Sequence, residues 1–172
     1  MKQPKTYVLM VSTVFPSTHR RAGQPTYFVG RIFAKHIDGH FDSTKYHKIH
    51  TCRANYPLWA ERIKEVQAGR AIISLRIWSG TPYASKMIEV ARIDHTDHVG
   101  IQRVQFRDIN GIFTAIVDDH IILDDMFTLD RPSVCDLAHN DGLDILDFID
   151  WYRHAPADED YCIIHFTGFR YC

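Results

Sequence analysis

From residue 71 to residue 118 the chain carries four β-patterned segments in close succession: "AIISLRIW", "SKMIEVARI", "VGIQRVQF" and "GIFTAIVD". Connections as short as "SGTPYA" and "RDING" point to antiparallel neighbours, because a parallel pair needs a crossover of a dozen residues or more. A doubly wound parallel sheet fits poorly, since strands and helices do not alternate regularly.

The flanking segments complete an α+β inventory. "TYVLMVST" (6–13) reads as a buried strand, and "FPSTHRRAGQPT" (15–26) as a loop. A helix is expected over 25–38, with Pro25 in its first turn, an apolar face of Phe28, Val29, Ile32, Phe33 and Ile37, and Gly39 as its stop. Residues 48–53 read as extended. "PLWAERIKEVQAG" predicts a short helix with Leu58, Ile63 and Val66 inward and Gly69 ending it. Further helices are expected near 132–139 and over 144–153. The latter would be capped by Asp144, with Ile145, Leu146, Phe148, Ile149 and Tyr152 buried. "YCIIHFTGFRY" closes the chain as a strand. About seven strands, mostly antiparallel, suggest a mixed sheet curled into a small barrel with four helices outside, in one domain spanning 1–172.

Composition limits the functions open to such a domain. No run approaches the roughly 20 apolar residues of a membrane span. Cys52, Cys135, Cys162 and Cys172 are scattered, with no C-x-x-C pair. Neither a disulfide framework nor a zinc site is therefore expected, and a reduced, cytoplasmic setting is the simpler reading. "DHTDH" (94–98) crowds four possible ligands together, but no other ligand group is tied to it and it reads as a solvated loop. No metal and no cofactor are expected. The net charge of −1 hides a division: residues 1–92 hold 15 Lys+Arg against 5 Asp+Glu, and residues 117–172 hold 3 against 13. The two halves attract each other, or a basic face awaits an anionic ligand, or solvated faces merely happen to segregate.

Three segments carry reactive side chains. In "KIHTCR" (48–53), ordinary strand alternation puts Ile49, Thr51 and Arg53 on one face and His50 and Cys52 on the other. A joint role for Lys48 and Thr51 therefore demands a bend or bulge where the strand begins. A threonine hydroxyl needs a base to become a nucleophile, which a lysine of lowered pKa can supply, and the Arg53 fork can hold an anionic or carbonyl group. The same residues also suit a basic strand end beside a helix. In "IWSGTPYASK" (77–86), Trp78 and Tyr83 next to Lys86 suit base stacking and backbone neutralisation, or equally a tight hairpin packed on the core. In "AHNDGLDILDFIDWY" (138–152), Asp141 is either a helix-start residue or a carboxylate facing a pocket.

In this order, "KIHTCR", the strand pair around "AIISLRIWSG" and "SKMIEVARI", and "NDGLDILDFIDWY" resemble an ASCH domain, a member of the PUA-like superfamily. The first is similar to that family's lysine-x-x-threonine-x-arginine signature, and the likeness covers roughly residues 6–169. It implies a PUA-like mixed, antiparallel β-barrel with flanking helices and a cleft beside the signature strand. It also implies RNA, or a modified nucleoside or base, as partner. Basic residues of the first half (Arg20, Arg21, Lys48, Arg53, Lys86) would then meet phosphate, and Trp78 or Tyr83 would stack. Some small ASCH proteins resemble amidohydrolases that remove an acyl group from acylated cytidine. Carried over, that role makes Lys48 the base, Thr51 the nucleophile, Arg53 a ligand-orienting group, and Asp141 the stand-in for the family's glutamate, one methylene shorter. A non-catalytic protein-interaction domain is the third reading.

Overall fold

The structure, a computed structural model, describes residues 3–37, 47–122 and 132–171. Among the described residues eight strands and four α-helices follow one another: β1 (Lys5–Met10), α1 (Phe28–Ile37), β2 (His50–Ala54), α2 (Tyr56–Gln67), β3 (Ala71–Trp78), β4 (Met87–Ile93), β5 (Gly100–Ile109), β6 (Ile112–Val117), β7 (His120–Ile122), α3 (Val134–Asn140), α4 (Ile145–Tyr152) and β8 (Tyr161–His165). The α+β class is as expected. The helix stop expected at Gly39 lies outside the described residues.

The strands form two open sheets, ordered β1-β3-β4 and β2-β8-β5-β6-β7. In the smaller, β1 runs parallel to β3, from Lys5 opposite Ala71 to Met10 opposite Arg76. β4 pairs antiparallel to β3, with an irregularity between Leu75 and Arg76. The larger sheet is antiparallel throughout, with β8 between β2 and β5, so that His165 faces both His50 and Gly100. Among the described residues no ladder joins the two sheets, and the closed barrel expected from the sequence is not found. Short connections determine which neighbours pair; they carry no information on whether the last strand bonds back to the first.

Local chemistry explains the turns and caps. Asn110 and Gly111 both take positive φ between β5 and β6, as do Asp118 and Asp119 between β6 and β7. Positive φ at both central residues is the pattern of the tight hairpin turn whose twist matches its strands. α2 starts at Asn55, whose side chain accepts a bond from the Leu58 amide at 3.1 Å. α3 carries a reciprocal cap between Ser133 and Asp136, and Asp144 accepts from the Asp147 amide at 2.9 Å to start α4.

The core joins Leu9, Ile73 and Leu75 of the small sheet, Val104, Ala115, Ile163 and Ile164 of the large one, and Leu137 and Phe148 of the last helices. Two helical faces differ from expectation. In α2 the buried stripe is Trp59, Ile63 and Val66, at i, i+4, i+7, while Leu58, one position off, stays 42% exposed. In α4 Leu146 points to solvent and Asp147 points inward.

Candidate active site

The sequence Asn140-Asp141-Gly142 ends α3. Gly142 has φ of +78°, and its amide bonds to the His139 carbonyl while Leu143 reaches back to Ala138. This is the paired closing pattern that a left-handed glycine makes possible. Asp141 is thus the C-terminal cap of α3 rather than the start of α4. The glycine matters a second way: a Cβ built on Gly142 would lie 3.1 Å from the Cβ of Lys48. Only a bare backbone lets the 47–49 segment approach this closely.

Lys48 lies just ahead of β2, in a single antiparallel bridge to Asp141. Its amide bonds to the Arg31 carbonyl at 3.1 Å, and the next amide, Ile49, bonds to Asn140 at 2.9 Å. The chain here bonds to α1 and to the end of α3, while the Ile49 carbonyl still accepts from the Phe166 amide beyond the β2–β8 ladder. The Lys48 ammonium donates to Asp141 twice, to Oδ1 and to the backbone carbonyl, both at 2.7 Å. It also stands 3.9 Å from the Phe28 ring centroid, an attraction that strengthens when water is absent. The Tyr152 hydroxyl donates to Asp141 Oδ2 at 3.3 Å.

Both members of the pair are almost wholly buried, with side chains 2% exposed. Burial pushes the Lys48 ammonium below the ordinary lysine value, against the opposing pull of Asp141. Burial alone would raise Asp141, but the Lys48 charge and the neighbouring His50 outweigh it and hold the carboxyl below its usual range. Tyr152 is pushed well up by burial, so it stays a phenol.

Lys48, Thr51, Arg53 and Asp141 line one recess, walled by Phe28, Trp151 and Tyr152. Its volume is about 20 Å³, room for about one water molecule. The Arg53 guanidinium donates to the Met10 carbonyl at the end of β1 and so fastens β2 to the small sheet. All three residues assigned to catalysis, and one of the four assigned to ligand binding, therefore converge.

The other three do not. Trp78, Tyr83 and Lys86 sit on the β3–β4 hairpin, away from the lining of the recess. Tyr83 is 92% exposed, its ring 5.2 Å from that of Trp78, and Lys86 is exposed. Arg20 and Arg21 turn inward to the protein: their guanidinium groups bond to the two carboxylate oxygens of Asp147, at 2.7 and 2.6 Å. At this point the basic and acidic halves of the chain neutralise each other. The "DHTDH" segment is a capped turn in which Asp94 accepts from the Thr96 amide and Asp97 answers to the Asp94 amide.

Sequence reasoning missed Phe28, Trp151 and Tyr152 as walls, because at helical spacing they look like ordinary core. The helix-closing Asn-Asp-Gly was the available signal for placing Asp141 beside another segment. No protein-family model matches the chain, and no curated protein or solved structure is found similar to it.

Proposed function

We propose that this chain is an ASCH-like domain of PUA-like type whose recess hydrolyses a small acylated nucleoside. The observation that carries the reading is the convergence of Lys48, Thr51 and Asp141, with Arg53, on one buried recess. In this scheme Lys48, whose ammonium burial weakens and Asp141 holds in place at 2.7 Å, acts once its proton has passed to water. The free amine then takes the Thr51 hydroxyl proton as Oγ1 attacks the acyl carbonyl. The C–N bond breaks, the cytidine amine leaves with a proton from Lys48, and water hydrolyses the acyl-threonine ester. The recess has room for about one water molecule, so substrate entry displaces the walls formed by Phe28 and Trp151.

Incubation with acylated cytidine should release cytidine, followed by chromatography. Lys48→Ala should lower the rate by about 10²–10⁴-fold, the usual span for a general base, and Thr51→Ala should bring it to background. Turnover that survives both changes would exclude this chemistry.

A second reading, RNA binding, is favoured by the exposed Tyr83, its ring 5.2 Å from that of the half-buried Trp78, on the same hairpin as the exposed Lys86. An aromatic ring in water next to a cation is what a stacking platform for single-stranded nucleic acid requires. Short single-stranded RNA should bind with an affinity that falls as salt rises, and Tyr83→Ala should cost about 1–3 kcal/mol. Affinity independent of both salt and Tyr83 counts against it.

A further inference from the structure

The Asp141 carboxylate has a second set of neighbours. His50 and Cys52, which alternate with Thr51 and Arg53 along β2, approach it, and one ligating atom from each of His50, Cys52 and Asp141 lies within 4.8 Å of the others. All three residues are buried. His50 Nδ1 lies 3.7 Å from Asp141 Oδ1, beyond hydrogen-bond range, and it has no hydrogen-bond partner although it is fully buried. The other ring nitrogen, Nε2, is 2.8 Å from the Tyr171 hydroxyl, which also accepts from Asn140 Nδ2 at 2.9 Å. A buried imidazole held from behind, with its free nitrogen near a thiol and a carboxylate, is how proteins orient a metal-binding histidine.

We propose that His50, Cys52 and Asp141 form a binding site for a borderline-soft divalent cation of the zinc class. Sulfur, nitrogen and oxygen together suit zinc and cobalt, whereas magnesium and calcium take oxygen alone. On binding, the Cys52 thiol releases its proton to solvent as the metal–sulfur bond forms, and nothing is oxidised or reduced. His50 coordinates through Nδ1 and donates Nε2–H to Tyr171. Asp141 Oδ1 offers its remaining lone pair, while Lys48 keeps its bonds to Oδ1 and to the Asp141 carbonyl. Thiolate and carboxylate offset the two charges of the ion, which leaves the Lys48 charge in excess. The sequence conceals this arrangement because the carboxylate arrives from a distant helix end, 93 positions from the Lys48 it contacts.

This inference goes beyond the hydrolase reading and is tested without substrate. Metal-free protein titrated with Co²⁺ should show a thiolate-to-cobalt charge-transfer band saturating at one ion per chain, and Zn²⁺ should displace it. The band should vanish in Cys52→Ser. It should persist in Cys162→Ser, on the neighbouring strand, and in Cys135→Ser, whose sulfur lies 3.5 Å from His139 on α3. Tyr171→Phe, which removes the hydroxyl behind His50, should weaken binding by roughly 10–100-fold. Thermal unfolding of each variant serves as the folding control, and the wild-type titration decides the matter alone if a variant does not fold. No band with the wild-type chain, a band that survives Cys52→Ser, or one lost only with Cys135, would overturn the proposal. Cytidine release by a chain that binds no cobalt would refute the metal site and leave the hydrolase standing.

Discussion

Asp141→Ala should destabilise the domain by about 3–5 kcal/mol, the usual cost of breaking a buried ion pair by removing one partner. The loss comes mainly from what stays behind. Lys48 would keep the Asp141 backbone carbonyl and the face of Phe28, but its ammonium, 2% exposed, would have no counter-charge and no water. The Tyr152 hydroxyl, donating to Oδ2, would lose that bond as well. Urea unfolding monitored by tryptophan fluorescence measures the effect. The pair can be separated from its surroundings by a double-mutant cycle with Lys48→Met. Removing both charges should cost clearly less than the sum of the single changes, because the second change removes the group the first left stranded. Strict additivity, or an Asp141→Ala chain within about 1 kcal/mol of wild type, would mean that the ion pair is not what holds the 47–49 segment to the end of α3.

That pair also shows where the sequence was informative. The apolar strand patterns at 71–78 and 161–165 identified real elements, because period is a local property, and "KIHTCR" supplies three residues that line the recess. The meeting of Lys48 and Thr51 was legible only as a condition: alternation along β2 puts the two on opposite faces, so a shared recess was expected to require a bend. No register shift interrupts β2 from His50 to Ala54; Lys48, His50 and Cys52 all meet Asp141, and the capped end of α3 that carries this carboxylate is remote in sequence and could not be read off. The same limit hid the alliance of His50 and Cys52 with Asp141. Tyr152 was readable as an apolar residue on a helical face, but its hydroxyl acquires a role only once α4 packs beside Asp141. Barrel closure failed for a related reason: hairpin turns such as Asn110-Gly111 determine adjacent pairs, whereas the pairing of β2 with β8 and of β1 with β3 joins segments with no local signal for each other. Charge segregation was a truer guide. Of its three readings, mutual attraction of the halves accounts for Arg20 and Arg21.

Asp147→Asn should cost about 2–3 kcal/mol at neutral pH and should loosen the 15–26 loop, which leans on Trp151 at the wall of the recess. Asp147 is buried on α4, with its side chain 2% exposed, and its Oδ1 accepts from Arg20 Nε and NH2 at 3.0 and 2.7 Å while Oδ2 takes Arg21 NH1. The charged groups around it are Arg20, Arg21, Asp144 and Asp150, and His19 Nε2 lies 3.0 Å from the Asp147 carbonyl. Charge-assisted bonds contribute about 1.5–3 kcal/mol each when buried. The two guanidinium groups here are 45% and 35% exposed, so solvent screening discounts them and the total is held near the value of a single bond. Burial alone would raise the Asp147 carboxyl, but the bonds from Arg20, the Asp144 contact and the bonds from Arg21 outweigh it and hold the group below its usual range. A carboxyl depressed in the folded state stabilises above its unfolded pKa, near about 3.9, and that stability is lost as pH falls through the folded value. Wild type and Asp147→Asn should therefore differ by a constant amount above about pH 5 and converge in acid below about pH 4. Urea midpoints across that range provide the comparison, and a gap that widens in acid would contradict the assignment. Phe15 stacks on His19 at 4.4 Å and leans on Trp151, a wall of the recess. Releasing Asp147 therefore frees the loop that keeps this wall in place, and trypsin should cut after Arg20 and Arg21 faster in the variant than in the native chain. Equal cleavage rates would mean that the aromatic stack, rather than the ion pairs, closes the recess.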